Sequence, residues 1–188
     1  MEFMPNGAKK IVYRIERTKY KNEILAGIGA EKVGGRWNEK GSRMVYTSDS
    51  PALAVLEKLI YVEPLDFEAG SYSIAFIEIP EESILVPPVE ALPSDWNVVP
   101  HTLSTKQFGQ QWLQAQQTLA LCVPSVVMPY SRNYLLNPLP ELIHEVKIID
   151  IQPYVFDVRW LKEPSINYKT NTPKTIVTDL MNEILGSE

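Results

Sequence analysis

Fifteen prolines stand in this chain of 188 residues, gathered mainly at 80–100 and 124–140. Proline fixes φ and carries no backbone N–H, so it ends helices and avoids the interior of sheets. The middle of the chain is therefore cut into short pieces. Between the cuts, β-branched and aromatic residues predict strands at Ile11–Ile15, Met44–Thr47, Ser71–Ile79 and 146–151. In the third, Tyr72, Ile74 and Phe76 alternate onto one face. Ser50 and Pro51 supply a cap and a first helical position, predicting a helix to about Tyr61. A second helix starts near Ser104. Five or so strands unevenly interleaved with helices give an α+β class, a single mixed domain over 1–161. A tail over 162–188 follows. Its polar linker leads to a helix capped by Thr172 and Pro173, with an apolar stripe of Ile176, Val177, Leu180, Met181, Ile184 and Leu185, ending at Gly186.

A chain of this length buries about 70% of its unfolded surface and needs no covalent staples. The single cysteine, Cys122, sits in an apolar run and reads as a small hydrophobe rather than a nucleophile. An absence of disulfides fits a reducing compartment. The first residues lack the basic-then-apolar order of a signal peptide, and no apolar run approaches the ~18 residues of a membrane span, so a cytoplasmic protein is expected. A net charge of −5 is a poor match for a phosphate backbone, so direct nucleic-acid binding is not expected.

Few residues invite chemistry. His101 and His144 are far apart and have no ligand-spaced companions, so no metal site is expected. Gly27-Ile-Gly29 does not continue as a dinucleotide fingerprint. The loop Gly34-Gly-Arg-Trp-Asn38 is more telling. Paired glycines admit a ligand close to backbone, and Arg36 offers a planar fork for phosphate or carboxylate. A tight turn with a structural salt bridge is the other reading. On a helical wheel Glu57 lies about 40° from Leu53, at the edge of the apolar face, where a carboxylate must be paired or used. Ser125 is a lone hydroxyl among Val123, Val126 and Val127, with no nucleophile elbow around it. Arg132, Asn133 and Asn137 crowd the next segment, where Asn137 before Pro138 also reads as a turn.

Taken in order, these segments resemble the RES domain family: Gly35-Arg-Trp-Asn38, Gly41 through Val45-Tyr-Thr-Ser48, Pro51-Ala-Leu-Ala-Val-Leu-Glu57, Val123-Pro-Ser-Val-Val127, Asn133-Tyr-Leu-Leu-Asn-Pro138 and Phe156-Asp-Val-Arg159. The resemblance spans residues 10–160 and says nothing about the tail. It implies a fold similar to diphtheria-type ADP-ribosyltransferases and the toxin role in a bacterial type II toxin–antitoxin pair. The implied partner is an Xre-like helix-turn-helix antitoxin, blocking the Arg36 pocket through a local, partly apolar contact; a homodimer is also allowed. The implied activity is destruction of NAD, as substrate and not as retained cofactor, by hydrolysis or phosphorolysis of the nicotinamide–ribose bond. Matched motif by motif, Arg36, Tyr46, Glu57 and Ser125 form the expected catalytic set. Arg14, Trp37, Asn38, Asn133 and Asn137 are the expected substrate contacts. In that picture Glu57 stabilises developing positive charge, Tyr46 stacks, Arg36 clamps the pyrophosphate and Ser125 hydrogen-bonds the ribose or carboxamide. The alternatives are a protein ADP-ribosyltransferase on the same scaffold and a non-enzymatic interaction module using the 173–185 helix.

Overall fold

A computed structural model describes residues 7–62, 71–138 and 141–160. The expected tail helix at 173–185 lies outside the described residues. Seven strands form one sheet: β1 (Lys9–Arg17), β2 (Val45–Ser48), β3 (Tyr72–Pro80), β4 (Ile84–Leu85), β5 (Ala120–Pro124), β6 (Arg132–Leu136) and β7 (Lys147–Tyr154). Their order is β4-β5-β6-β2-β1-β3-β7, and only the β4–β5 pair runs parallel. Three α-helices accompany them: α1 (Ile28–Val33), α2 (Pro51–Leu59) and α3 (Leu103–Ala115). The mixed α+β class holds. Residues through Phe156 form one compact unit. The second unit, from Asp157, contributes four described residues, among which Asp157 pairs with the Arg159 guanidinium at 2.6 Å.

Alternation along the strands explains the two faces. Val12, Val45, Ala75, Ile77, Ile79, Ala120, Cys122, Tyr134 and Leu136 pack together on one face, covered by Ile24, Leu25, Ile143 and Val146. The opposite face divides in two. At the β5–β6 end, Leu121, Val123 and Leu135 meet Trp112 and Leu113 of α3 and Trp37 and Met44 of the 34–44 segment. At the β1–β3 end, Ile15, Tyr72 and Ile74 meet Ala54 and Val55 of α2, together with Phe156. Tyr72, Ile74 and Phe76 share this face, as their alternation predicts.

Local chemistry sets α2. The Ser50 side chain accepts the Leu53 N–H at 3.2 Å and Pro51 takes the first turn, a cap whose removal costs about 1 kcal/mol. The helix stops at Leu59 and buries Leu53, Ala54 and Val55, leaving Ile60 60% exposed. A short helix, α1, precedes the Gly34–Asn38 loop and is bracketed by Gly27 at φ +67° and Gly34 at φ +74°. Segment 132–136, where the sequence reading placed no strand, is a central strand.

Candidate active site

Two side chains converge on one carboxylate. Glu57 stands near the end of α2, half-buried, and its Oε1 accepts two hydrogen bonds. Ser125 Oγ donates at 2.7 Å and Asn133 Nδ2 at 2.5 Å. Ser125 follows β5 and Asn133 lies on β6, paired in register with Ser48 of β2. The Ser48 hydroxyl in turn donates to Asn133 Oδ1 at 2.9 Å. Both bonds to the carboxylate fall on Oε1, so Oε2 has no protein donor among the described residues. Ser125 is fully buried and has a single O–H, committed to Glu57, while its Oγ accepts the Met128 N–H at 2.9 Å. It therefore orients the acid rather than donating to a ligand.

Arg36 supplies the opposing charge. Its Nη1 donates to the backbone carbonyls of Trp96 (2.8 Å) and Val98 (2.9 Å). One nitrogen makes both bonds, so Nε and Nη2 have no acceptor among the described residues. Burial presses the guanidinium below its ordinary value, and Tyr61, Glu57 and Tyr46 act in the opposite direction. Those couplings bring Glu57, Tyr46 and the exposed Tyr61 within electrostatic reach of Arg36. An arginine stays charged under such pressure.

Tyr46 holds the loop that carries Arg36. Its hydroxyl donates to Asn38 Oδ1 at 2.8 Å and accepts the Trp37 N–H at 3.1 Å. Burial pushes the phenol well above its ordinary value, against the pull of the Trp37 N–H, so it remains a neutral donor. Close approach explains Gly35: a Cβ there would lie 2.5 Å from the Tyr46 hydroxyl. The Tyr46 ring is only partly exposed.

The remaining expected contacts divide. Arg14 is half-buried and tied to the Tyr46 backbone. Its Nη1 donates to the Tyr46 carbonyl at 2.9 Å and its Nη2 to Glu16 Oε2 at 2.6 Å, while Lys58 lies 3.6 Å from Glu16 Oε1. Only Tyr13 and Ser48 pair β1 with β2, so this guanidinium adds a second cross-strand link. Its Nε has no partner among the described residues. Trp37 is 3% exposed and packs on Phe108. Asn38 is wholly buried, its Nδ2 donating among the carbonyls of Ala30, Glu39 and Ser42. Asn137 is buried and donates to the Leu113 carbonyl at 3.1 Å. The side chains of Trp37, Asn38 and Asn137 are thus taken up by packing and internal hydrogen bonds. The structure brings together Arg36, Tyr46, Glu57, Ser125 and Asn133. Sequence reasoning missed Ser48, whose place on an alternating strand was its signal, and Tyr61, one helical turn past Glu57.

No group of three or more His, Cys, Asp or Glu among the described residues could hold a metal ion, and no helix there is long and apolar enough to cross a membrane. His101 and His144 are exposed. Burial pushes the Cys122 thiol up, away from the reactive thiolate.

Comparison with known proteins bears on what such a cleft is for. Residues 11–157 match the RES domain family. The chain is 37% identical over 135 residues to "Toxin Res" of Photorhabdus laumondii subsp. laumondii, covering 72% of this chain and 86% of the relative. It is 34% identical over 147 residues to the "Prs ADP-ribosylating toxin" of Sphingobium sp., covering 77% of this chain and 91% of that one. Among solved structures it is similar to the M. tuberculosis MbcT-MbcA toxin-antitoxin complex, with a TM-score of 0.65 and 15% identity, over 80% of this chain and 86% of that one. At that identity the likeness speaks for the fold alone.

Proposed function

The chain belongs to the RES domain family, as its Toxin Res relatives do, and from that membership we propose that it is a toxin that cleaves the nicotinamide–ribose bond of NAD. The observation that carries the reading is the half-engaged Glu57 carboxylate, with two donors on Oε1, a free Oε2, and a guanidinium in electrostatic reach.

Nicotinamide in NAD is a cationic leaving group and needs no acid. As the C1′–N bond breaks, its electron pair goes to the ring nitrogen and positive charge builds on C1′ and the ring oxygen of the ribose. An oriented carboxylate stabilises that charge, and its free oxygen suits a ribose hydroxyl. Glu57 fits this role. The open edge of Arg36 fits a pyrophosphate oxygen pair. The Tyr46 ring, and Tyr61 beside it, offer faces for an aromatic base. The acceptor then attacks C1′ and loses a proton: water yields free ADP-ribose and phosphate yields its 1-phosphate.

A second reading keeps the same bond cleavage and replaces water with a protein nucleophile. The relative called Prs ADP-ribosylating toxin favours it. The same pocket serves both, because the acceptor is not a residue of this chain.

For the partner, relatives named as toxins call for an antitoxin, which we take to be of the Xre helix-turn-helix kind. Val98, Val99, Val127, Met128 and Tyr130 are exposed around the elements that hold Arg36 and Ser125. That apolar rim suits a local plug over the pocket better than long-range steering at a net charge of −5.

The test is incubation of purified protein with NAD, with and without phosphate and then with added candidate protein targets, followed by product identification. Nicotinamide release without any protein acceptor supports the first reading. Release only on addition of a target, with ADP-ribose on it, supports the second. Intact NAD in every arm overturns both.

A further inference from the structure

We infer that Ser48 and Asn133 form a relay that positions the Glu57 carboxylate, with Asn133 acting on the acid rather than on the ligand. The inference rests on Glu57 being the acid of the cleft.

Hydrogen-bond chemistry fixes the direction of the relay. An ionised carboxylate only accepts, so the Asn133 amide must turn Nδ2 toward Glu57, at 2.5 Å. That leaves Oδ1 facing Ser48, whose hydroxyl donates at 2.9 Å. One amide N–H and the amide oxygen then each have a definite job. Strand register supplies the geometry: Ser48 and Asn133 are directly opposed across β2 and β6, so their side chains rise side by side on one face. Ser48 is only 4% exposed and cannot touch a ligand through that relay position, which makes it a positioning residue.

Ser125 adds the second donor to the same oxygen, at 2.7 Å, and is itself pinned by the Met128 N–H. Two converging donors on Oε1 set the carboxylate plane and leave Oε2 as the oxygen presented to the ribose. If Ser48 is removed, the amide loses the contact that fixes its plane, and the acid gains freedom to turn. A misplacement of about 1 Å in a reacting group costs up to about 10² in rate, and lost outer contacts to a functional group commonly cost 10- to 100-fold.

Two measurements test this. In kinetics of nicotinamide release, Ser48→Ala lowers kcat about tenfold with KM within about twofold, and Ser48→Thr, which keeps the hydroxyl, restores most of the loss. Asn133→Asp keeps the size and the bond from Ser48 but sets a second carboxylate against Glu57, and lowers kcat by about 10². The second readout needs no NAD. In ¹⁵N-labelled protein the Asn133 side-chain amide resonances, identified by their loss in Asn133→Asp, move in both Glu57→Gln and Ser48→Ala. A folded Ser48→Ala with wild-type kcat, a loss confined to KM, or amide resonances that stay in place overturns the relay. Wild-type protein that leaves NAD intact while those resonances move overturns the NAD reading and upholds the relay.

Discussion

Glutamine in place of Glu57 isolates charge from shape. Its carbonyl oxygen can accept the Ser125 and Asn133 donors that Oε1 accepts now. Its NH₂ then occupies the position of Oε2, so a free acceptor facing the ligand becomes a neutral donor. Each retained bond loses its charge-assisted part, about 1 kcal/mol, which is small against a folding stability of about 5–15 kcal/mol. The variant therefore folds. The loss falls on the transition state, where removal of one preorganised electrostatic group typically costs 10²–10³ in kcat, or about 2.7–4 kcal/mol. The KM moves much less, since Arg36 still holds the pyrophosphate. The assay is nicotinamide release at saturating NAD, beside a thermal melt of the same sample. A Glu57→Gln protein that melts as a folded domain and turns over within about threefold of wild type refutes the role given to this carboxylate.

Three further outcomes follow from the packing. A Cβ at Gly109 would sit 1.9 Å from the Trp37 carbonyl oxygen, a backbone atom that cannot swing aside. Gly109→Ala therefore costs about 3 kcal/mol in urea unfolding and raises the KM for NAD through the adjacent Arg36; an unchanged midpoint contradicts the contact. Tyr46→Phe removes the acceptor of the Trp37 N–H and the donor to Asn38, and lowers stability by about 1–3 kcal/mol in the same assay. Glu16 governs acid stability. Burial alone would lift its carboxyl, but Arg14 and Lys58, with the Arg17 N–H, carry it below its ordinary 4.5. A depressed carboxyl stabilises the fold fully above pH 4.5 and loses that contribution as pH falls through its folded value. Urea midpoints measured from pH 7 down to pH 3 fall more steeply in wild type than in Glu16→Gln, and parallel curves count against the pairing.

What the sequence disclosed was what is encoded locally. The start of α2 is written in Ser50 and Pro51, and the faces of β3 in its alternation. The strand at 132–136 was hidden because its partners are distant: β6 pairs with β2 and β5, and asparagines beside prolines made its flanks look like turns. A helix of six residues such as α1 is too short to show a period, so two glycines in left-handed or extended-left geometry concealed it.

The site follows the same logic at finer grain. The wheel position of Glu57 was a local signal, but Ser125 and Asn133 lie 68 and 76 residues further along the chain. Nothing in a motif separates a residue that meets the ligand from one that holds its neighbour in place. Asn38 and Asn133 both belong to motifs, and both are asparagines whose amide nitrogen and oxygen each bond inside the protein. Asn38 gives its donors to three backbone carbonyls and its oxygen to Tyr46, and it fixes the Arg36 loop. Asn133 gives its donor to the one group in the cleft that keeps a free oxygen. The difference between a scaffold residue and a member of the reactive cluster is therefore the identity of the hydrogen-bond partner, a property of the fold that residue type and spacing do not carry. An amide whose every donor and acceptor is engaged inside the protein has nothing left with which to read a ligand. By that criterion Asn38 serves the loop alone, whereas Asn133 enters the reactive cluster through the one donor it gives to Glu57.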